Sequence, residues 1–258
     1  MTPQVQAALI SVAGVMIAAM ISAVVATRQS RRSGNLQRAL TEANAATQVE
    51  LEQLRGELQE RARRTQRGED AEEVLKRYRE PLAAAAYELQ LRLHDILCKD
   101  FLDSCGTDHE RRAKAEETTL FRLAQYFGWS EILRRDIEFL SPSNAPRTQK
   151  AVALKMRISD CLSGSTDQLG LRIWTDEQRA IGELMIIKEH DRVQCMGYAR
   201  FHQEYDAHFA EWCDRLRAEL TRSEGRPRLI EVHNLLVDLV TTLDVGVQYT
   251  RNLKKITA

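Results

Sequence analysis

Three side chains near residue 208 have the types and the spacing of metal ligands. In FHQEYDAHFAEW (201–212), Glu204 and His208 lie four residues apart and share a helix face, with Glu211 beside them. However, the sequence contains neither the Glu-x-x-His pair of di-iron bundles nor the HExxH motif of metalloproteases. We therefore expect a solvated polar face here, with no bound metal or cofactor and with the aromatic residues of the segment packed inward.

A second segment, RIWTDEQRAIGELMI (172–186), has features of a ligand pocket or a partner surface. An arginine near the start of a helix can meet an anion, because free backbone N–H groups gather there, although the acidic residues at the same end oppose it. A glycine inside a helix costs about 1 kcal/mol relative to alanine, which indicates close packing of another helix or of a ligand. The candidate residues are Trp174, Arg179, Gly182 and Glu183.

A third segment, WSEILRRDIEFL, has the charge spacing of a solvated helix face. Glu131 with Arg135, and Arg134 with Glu138, form i,i+4 pairs of opposite charge. Alternatively, Arg134 reaches a buried carboxylate such as Asp244, which lies among apolar residues. Neither arrangement supplies a nucleophile, and we predict no catalytic residue from it.

Sequence motifs of the common enzyme classes are missing. The chain has no GxSxG, no P-loop and no GxGxxG, which favours a non-enzymatic role without excluding an enzyme. The net charge is zero, which argues against a nucleic-acid partner. The cysteines are odd in number and none is spaced as CxxC, which is typical of reduced thiols rather than of a disulfide framework: Cys98, Cys105, Cys161, Cys195 and Cys213.

The N-terminal segment has the length and composition of a membrane span. Residues 5–27 are 23 uncharged positions, and a helix of this length extends about 34 Å, enough to cross the hydrocarbon core. The basic residues follow the apolar segment, whereas those of a cleaved signal normally precede it. The juxtamembrane arginines Arg28, Arg31, Arg32 and Arg38 predict a single-pass anchor in the cell membrane, with the N-terminus outside and the C-terminal domain cytoplasmic.

Small residues within this span recur every fourth position, a spacing that lets two membrane helices approach closely: Gly14, Ala18, Ser22 and Ala26. The high alanine content would also produce such a pattern by chance. Self-association through this stripe is therefore one of two interpretations, and the lipid bilayer is the first partner we expect.

After the anchor and basic segment (1–34), residues 35–69 predict a helical stalk. Leu40, Asn44, Thr47, Leu51, Leu54, Leu58 and Arg61 alternate by four and three, which is heptad spacing with a polar Asn at one seam position. The stalk is either a coiled coil in a homo-oligomer or a lone amphipathic helix. Gly68-Glu69-Asp70 looks like a break, with Asp70 as an N-cap.

Residues 70–258 predict a cytoplasmic domain of about six helices, packed as an irregular bundle. Pro81 fits the first turn of a helix, and further helices are expected near 113–140, 148–163, 175–188, 197–222 and 227–246. Thr175 with Gln178 has the capping-box form. Only LGLRIW (169–174) is a plausible short strand or irregular segment. The predicted fold class is therefore all-α.

Four segments together resemble a family of bacterial hypothetical proteins: RYREPLAAAAYELQLRLHDIL, TTLFRLAQYFGWSEILRRDIEFL, EQRAIGELM and RLIEVHNLLVDLVTTLD. The resemblance spans about residues 77–244. It implies a recurring helical domain, often behind a membrane segment, and no catalytic residues. It also implies that certain residues belong to motifs of the domain: Tyr78, Arg79, Pro81, Gln125, Tyr126, Trp129, Glu131, Arg134, Gln178, Arg179, Gly182 and Glu183.

These observations predict a membrane-anchored helical protein with an interaction or sensing role, an unknown protein partner and no enzymatic activity. The alternative is a ligand-binding or catalytic helical domain tethered to the membrane. Because the segment around residue 179 carries the only pocket-like pattern that we identify, the two hypotheses differ in what that segment binds.

Overall fold

The protein is almost entirely helical. The computed structural model describes residues 3–137, 146–164, 170–189, 192–220, 225–243, 249 and 253–257, and within residues 3–46 it describes side chains at only a few positions. The described residues form these elements: α1 (Pro3–Cys98), α2 (His109–Ile137), α3 (Pro146–Ser163), α4 (Thr175–Leu184), β1 (Ile186–Glu189), β2 (Arg192–Cys195), α5 (Tyr198–Glu204), α6 (Ala210–Glu219) and α7 (Arg226–Leu243). The all-α fold class is confirmed.

Helix α1 runs without interruption through the two positions where the sequence predicts helix boundaries. The predicted break at Gly68 is wrong, and Pro81 lies inside the helix instead of at its start. A proline within a helix removes one backbone hydrogen bond. The flanking residues Tyr78 and Leu82 are buried in the core, so their packing compensates for the missing bond.

The predicted membrane span lies mostly outside the residues whose side chains are described. Among the described residues, no helix is long and apolar enough to cross a membrane. Ser22 of the small-residue stripe and Arg28 of the basic segment are exposed. The burial of the remaining residues of the stripe and of the basic segment is not described: Gly14, Ala18, Ala26, Arg31, Arg32 and Arg38. The anchor therefore stays a prediction.

The chain divides into two compact units, residues Met1–Ala62 and Arg63–Ala258. The boundary falls inside α1, seven residues before the predicted one. In the second unit, the C-terminal part of α1 packs against α2 and α7. Buried Arg92 donates to the backbone oxygen of Ala115 at 3.1 Å and to the hydroxyl of Thr119 at 2.9 Å, which ties α1 to α2.

A β-hairpin follows α4, where the sequence analysis predicts continued helix to Lys188. Strands β1 and β2 pair antiparallel, with Ile186 opposite Cys195. β-Branched residues such as Ile186 and Val193 favour extended backbone, and they pack partly buried against the core. Of the two alternatives for residues 169–174, the irregular segment is confirmed, because the described residues 170–174 form no regular element. That segment is held by the buried Arg228 side chain, which donates to the Leu171 backbone oxygen at 2.8 Å.

The predicted helix over 197–222 is interrupted by a π-helical turn at Tyr205–Phe209. Phe201, Tyr205 and Phe209 are spaced by four and are all buried, as the aromatic pattern predicts. In a regular α-helix, residues four apart drift by about 40° per step, whereas a wider turn keeps them on one face. The π turn therefore allows three aromatic rings to pack into one core.

The start of α4 is displaced by one residue from the predicted capping box. Trp174 is the N-cap, and its backbone N–H donates to the Glu177 carboxylate at 2.8 Å. Gln178, the predicted capping partner, instead donates to the Ser159 backbone oxygen at 3.0 Å. This hydrogen bond joins α4 to α3.

Replacing Gly182 by alanine is expected to lower the free energy of unfolding by about 1–3 kcal/mol, because the new Cβ would lie 2.8 Å from the backbone oxygen of Phe127. Gly56→Ala is the matched control, since its Cβ would meet nothing within 4 Å. Thermal unfolding of both variants in mild detergent checks this. Equal stability of Gly182→Ala and the wild type would contradict the close approach of α4 to α2.

Candidate functional site: a cationic cleft between α2, α3 and α4

A cavity of about 430 Å³ lies between α2, α3 and α4. Its floor is apolar, formed by Phe127 and Leu133 of α2 and Val152 of α3. Its polar lining consists of three cationic side chains, two acidic side chains and several hydroxyl groups. The lining therefore carries one positive charge in excess, and the chemistry of the cavity depends on how these charges are paired.

Glu131 is the buried carboxylate of the cleft, and its negative charge is paired with two arginines. Its carboxylate is buried, with 3% of the residue exposed, and it accepts two hydrogen bonds from Arg134, both of 2.7 Å, and one of 2.8 Å from Arg135. Burial alone would raise the pKa of Glu131, but these hydrogen bonds outweigh it and hold the pKa below its ordinary value. The predicted Glu131–Arg135 pair is confirmed, and Arg134 also binds Glu131, whereas Glu138 and Asp244 lie outside the described residues.

Lys155 of α3 brings an ammonium group into the same cavity without a carboxylate partner. Its Nζ donates to the backbone oxygen of Ser130 at 3.3 Å, and it makes no ion pair with any residue that the structure describes. Burial lowers the pKa of Lys155 to about 8; the Glu131 charge opposes this fall, while the positive charges of Arg134 and Arg179 add to it. The group is therefore mostly charged at pH 7 and is poorly solvated.

Arg179 of α4 completes the cationic lining. The guanidinium group is exposed at the mouth of the cavity and makes no ion pair within the described part of the chain. Helix α4 is held at this position by Gln178, whose side chain donates to Ser159 of α3 and to the Ile173 backbone oxygen at 2.8 Å. Lys155 and Arg179 thus face one cavity with their charges unpaired.

Two buried hydroxyl groups line the cavity without hydrogen-bond partners in the described chain. They belong to Tyr126, which is 2% exposed, and to Ser130. Burial raises the pKa of Tyr126; the neighbouring Ser130 hydroxyl offsets part of this rise, although the two groups do not reach hydrogen-bonding geometry. Leaving a buried hydroxyl unsatisfied is unfavourable by roughly 1–3 kcal/mol. Each hydroxyl oxygen has less than 1 Å² of exposed surface, so a ligand in the cavity does not reach either group.

Of the four pocket residues named from the sequence, only Arg179 lines this cavity. Gly182 packs against the backbone of α2, and Glu183 forms an ion pair of 2.8 Å with Arg135 outside the cavity. Trp174 is exposed and contacts the Arg172 guanidinium across its ring face at 5.5 Å. The four residues therefore do not form one pocket.

Three cavity residues are not among the candidates predicted from the sequence: Lys155, Tyr126 and Ser130. A signal for Lys155 is present, since it lies between Ala151 and Ile158 on the apolar side of α3. A cation within an apolar face is uncommon unless a partner or a cavity receives it. Motif residues from the family resemblance also meet here, because the cavity is lined by Tyr126, Glu131, Arg134, Gln178 and Arg179.

The region around His208 has a different character. Glu204 forms an ion pair of 2.7 Å with Arg200, and His208 and Glu211 are exposed. Among the described residues, no group of three or more His, Cys, Asp or Glu side chains is arranged to hold a metal ion. These side chains lie on the polar face of the helix, opposite the buried aromatic residues.

No protein-family model, curated protein or solved structure matches this chain. The resemblance to bacterial hypothetical proteins therefore remains an expectation. The functional interpretation rests on the geometry of the cleft.

The Lys155 ammonium group is expected to titrate near pH 8, well below exposed lysines, because burial destabilises its charge. Because the folded state binds this proton less tightly than the unfolded chain, this group makes stability rise with pH from about 8 towards 10.5. The measurement is an NMR titration of ¹³C-dimethylated lysines, with Lys155→Arg used for assignment. Lys99 is the control, since its hydrogen bond to Asp95 raises its pKa. A Lys155 midpoint at or above that of Lys99 would contradict the buried position.

Proposed function

We propose that the helical domain binds a small anionic ligand in the cleft between α2, α3 and α4, and that this binding is its sensing activity. The observation that carries the proposal is the pair of cations, Lys155 and Arg179, that face one cavity without carboxylate partners in the described chain. Two unpaired cations at one cavity repel each other, and an anion between them would remove this repulsion.

The lining also restricts the chemistry of the ligand. Ser159 and Thr175 also line the cavity, and their hydroxyl groups can donate hydrogen bonds to acceptor oxygens, as carboxylate and phosphate groups offer. The apolar floor at Phe127, Leu133 and Val152 accommodates a hydrocarbon or aromatic portion. A carboxylate or a phosphate monoester attached to an apolar body of modest size fits both halves of the cavity.

The proposal is a binding role rather than a reaction. Glu131, the buried carboxylate of the cleft, is held ionised by two arginines, which makes it a poor proton acceptor or donor near pH 7. The Tyr126 hydroxyl, whose pKa is raised by burial, stays protonated. Neither of these two groups is tuned for acid–base catalysis. Lys155, whose pKa burial lowers to about 8, is the group of the cleft that could transfer a proton, and the proposal assigns it the role of a ligand-binding cation.

The second part of the proposal is that the protein is tethered to the cell membrane by residues 5–27, with the helical domain in the cytoplasm. It is supported by the uncharged sequence of these residues and by the arginines that follow them, Arg28, Arg31, Arg32 and Arg38. A ligand-binding domain at the inner membrane face would report the ligand to a membrane-associated protein partner.

Phenyl phosphate is the probe for the anion site. We expect calorimetry on the full chain in mild detergent to detect its binding at pH 7, and we expect Lys155→Met and Arg179→Ala each to weaken it by about tenfold or more, since a hydrogen bond to a charged group contributes roughly 1.5–3 kcal/mol. Affinity should fall as the pH rises through about 8, where Lys155 loses its proton.

Arg157→Ala is the matched control for this experiment, because Arg157 is exposed on α3 and does not line the cavity. It should leave the affinity unchanged. Phenol, which lacks the anionic group, should bind much more weakly than phenyl phosphate. Equal losses in Arg157→Ala and Lys155→Met would show that general surface charge, rather than the cleft, binds the probe.

The membrane tether is tested by fractionation of the full chain and of a fragment that begins at residue 35. We expect the full chain to stay with membranes in high salt and at alkaline pH, since an apolar helix is held by hydrophobic burial and not by charge. The fragment should appear in the supernatant. Release of the full chain by high salt alone would refute the anchor.

A further inference from the structure

A stripe of leucines on the N-terminal half of α1 is exposed to solvent. Leu40, Leu51, Leu54 and Leu58 are each between 48% and 57% exposed in the unit Met1–Ala62. The stripe continues through Asn44, Thr47 and Arg61, so residues at intervals of four and three follow one side of the helix over three heptads. Such a seam buries its apolar side chains only against another helix.

We propose that this stripe is the dimerisation surface of the protein, and that its partner is a second copy of the same stripe in a parallel, in-register coiled coil. The spacing assigns Asn44, Leu51 and Leu58 to the a positions of the heptad. Leu40, Thr47, Leu54 and Arg61 then occupy the d positions. The inference does not depend on the proposed anion site.

Charges beside the seam favour the parallel orientation. Glu50 falls at a g position and Arg55 at the next e position, so in a parallel dimer Glu50 of each copy lies beside Arg55 of the other. Neither side chain forms an ion pair within the described part of its own chain. Two complementary pairs therefore form across the seam.

An antiparallel arrangement over the same residues is unfavourable. It would bring Glu50 close to Glu57 of the second copy, and like charges repel. It would also pair a positions with d positions, which sets Asn44 against Arg61 and separates the two asparagine amides. In the parallel register, Asn44 meets Asn44 of the second copy, and the two amides hydrogen-bond to each other, as a single polar a position does in two-stranded coiled coils.

The first test is the mass of the full chain in mild detergent, together with cysteine cross-linking in a Cys98→Ser background. We expect a dimer in which Leu51→Cys forms an intermolecular disulfide, because identical a positions are adjacent in a parallel register. Glu52→Cys, one residue further on and directed away from the seam, is the control and should not cross-link. A monomer, a higher oligomer or equal cross-linking at both positions would overturn the proposal.

The second test uses charge exchange to establish orientation. Glu50→Lys and Arg55→Glu each place two like-charged pairs across a homodimer and should weaken it by on the order of tenfold. Mixed together, the two variants should form heterodimers with wild-type affinity, because position 50 of each chain then lies opposite a charge of the other sign at position 55 of its partner.

Differently tagged chains co-purified in detergent would report the heterodimer. Failure of the mixture to associate better than either variant alone would refute the parallel register. Because both variants alter exposed side chains of one helix, neither is expected to affect folding of the unit Arg63–Ala258, and an unchanged thermal unfolding transition serves as the control for intact protein.

Discussion

Helix α4 lies directly on the backbone of α2 because residue 182 has no side chain. A Cβ there would meet the Phe127 backbone oxygen at 2.8 Å and the Glu131 side chain at 3.1 Å. One turn earlier on the same helix, Gln178 reaches α3 and Arg179 reaches the mouth of the cavity. The distance between α2 and α4 therefore sets the width of the cleft. A second glycine, Gly128 of α2, allows strand β2 to approach α2 closely. A Cβ at this position would lie 2.6 Å from the Cys195 sulfur.

The repulsion among the cationic side chains of the cleft lowers the stability of the fold. A fold that keeps such repulsion indicates a function for these side chains. A poorly solvated ammonium group beside two guanidinium groups would be more stable if it were replaced by an apolar side chain of similar size. Buried hydroxyls without partners add to the penalty. Elsewhere in the domain, each buried guanidinium group donates to three oxygens of the fold, although its Nε has no partner in the described chain: Arg92 to oxygens of α2, and Arg228 to backbone oxygens of residues 164, 170 and 171. Lys155 has a single such oxygen, and this contrast argues that the cleft is arranged for a ligand rather than for stability.

The helical periodicity of the sequence predicts α2, α3 and α7 closely, because each presents a regular apolar face to a common core. It fails where tertiary packing overrides local preference. Pro81 and Gly68 are residue types that often end helices, yet α1 continues through both. Leu82 is buried beside Pro81, and Gly68 is itself buried, as is Ala71 one turn later. The hairpin at 186–195 is too short for alternation to distinguish it from the end of a helix. The π turn is visible only as three aromatic residues spaced by four.

The candidate site is less predictable than the fold for a related reason. The composition of one segment predicts a pocket at residues 174–183. The cavity is instead formed by residues of α2, α3 and α4, which only tertiary packing brings together. Arg179 is identifiable because it lies in a segment of unusual composition. Lys155 lies in ordinary helical sequence, and its role depends on the absence of a carboxylate partner within the described chain, which no one-dimensional pattern records.

Leucines of α1 differ in burial between the two units of the chain. In Arg63–Ala258, leucines of α1 such as Leu82 and Leu89 are buried in the core, whereas those of the stripe at residues 40–58 stay about half exposed. Three of the seven seam positions are polar or charged, so the seam gains less from association than an all-leucine seam would. Confinement of both copies to one membrane raises their effective concentration without any new contact. The proposed anchor and the proposed seam would thus act together, with the anchor adding proximity to a dimer that the seam also forms in detergent.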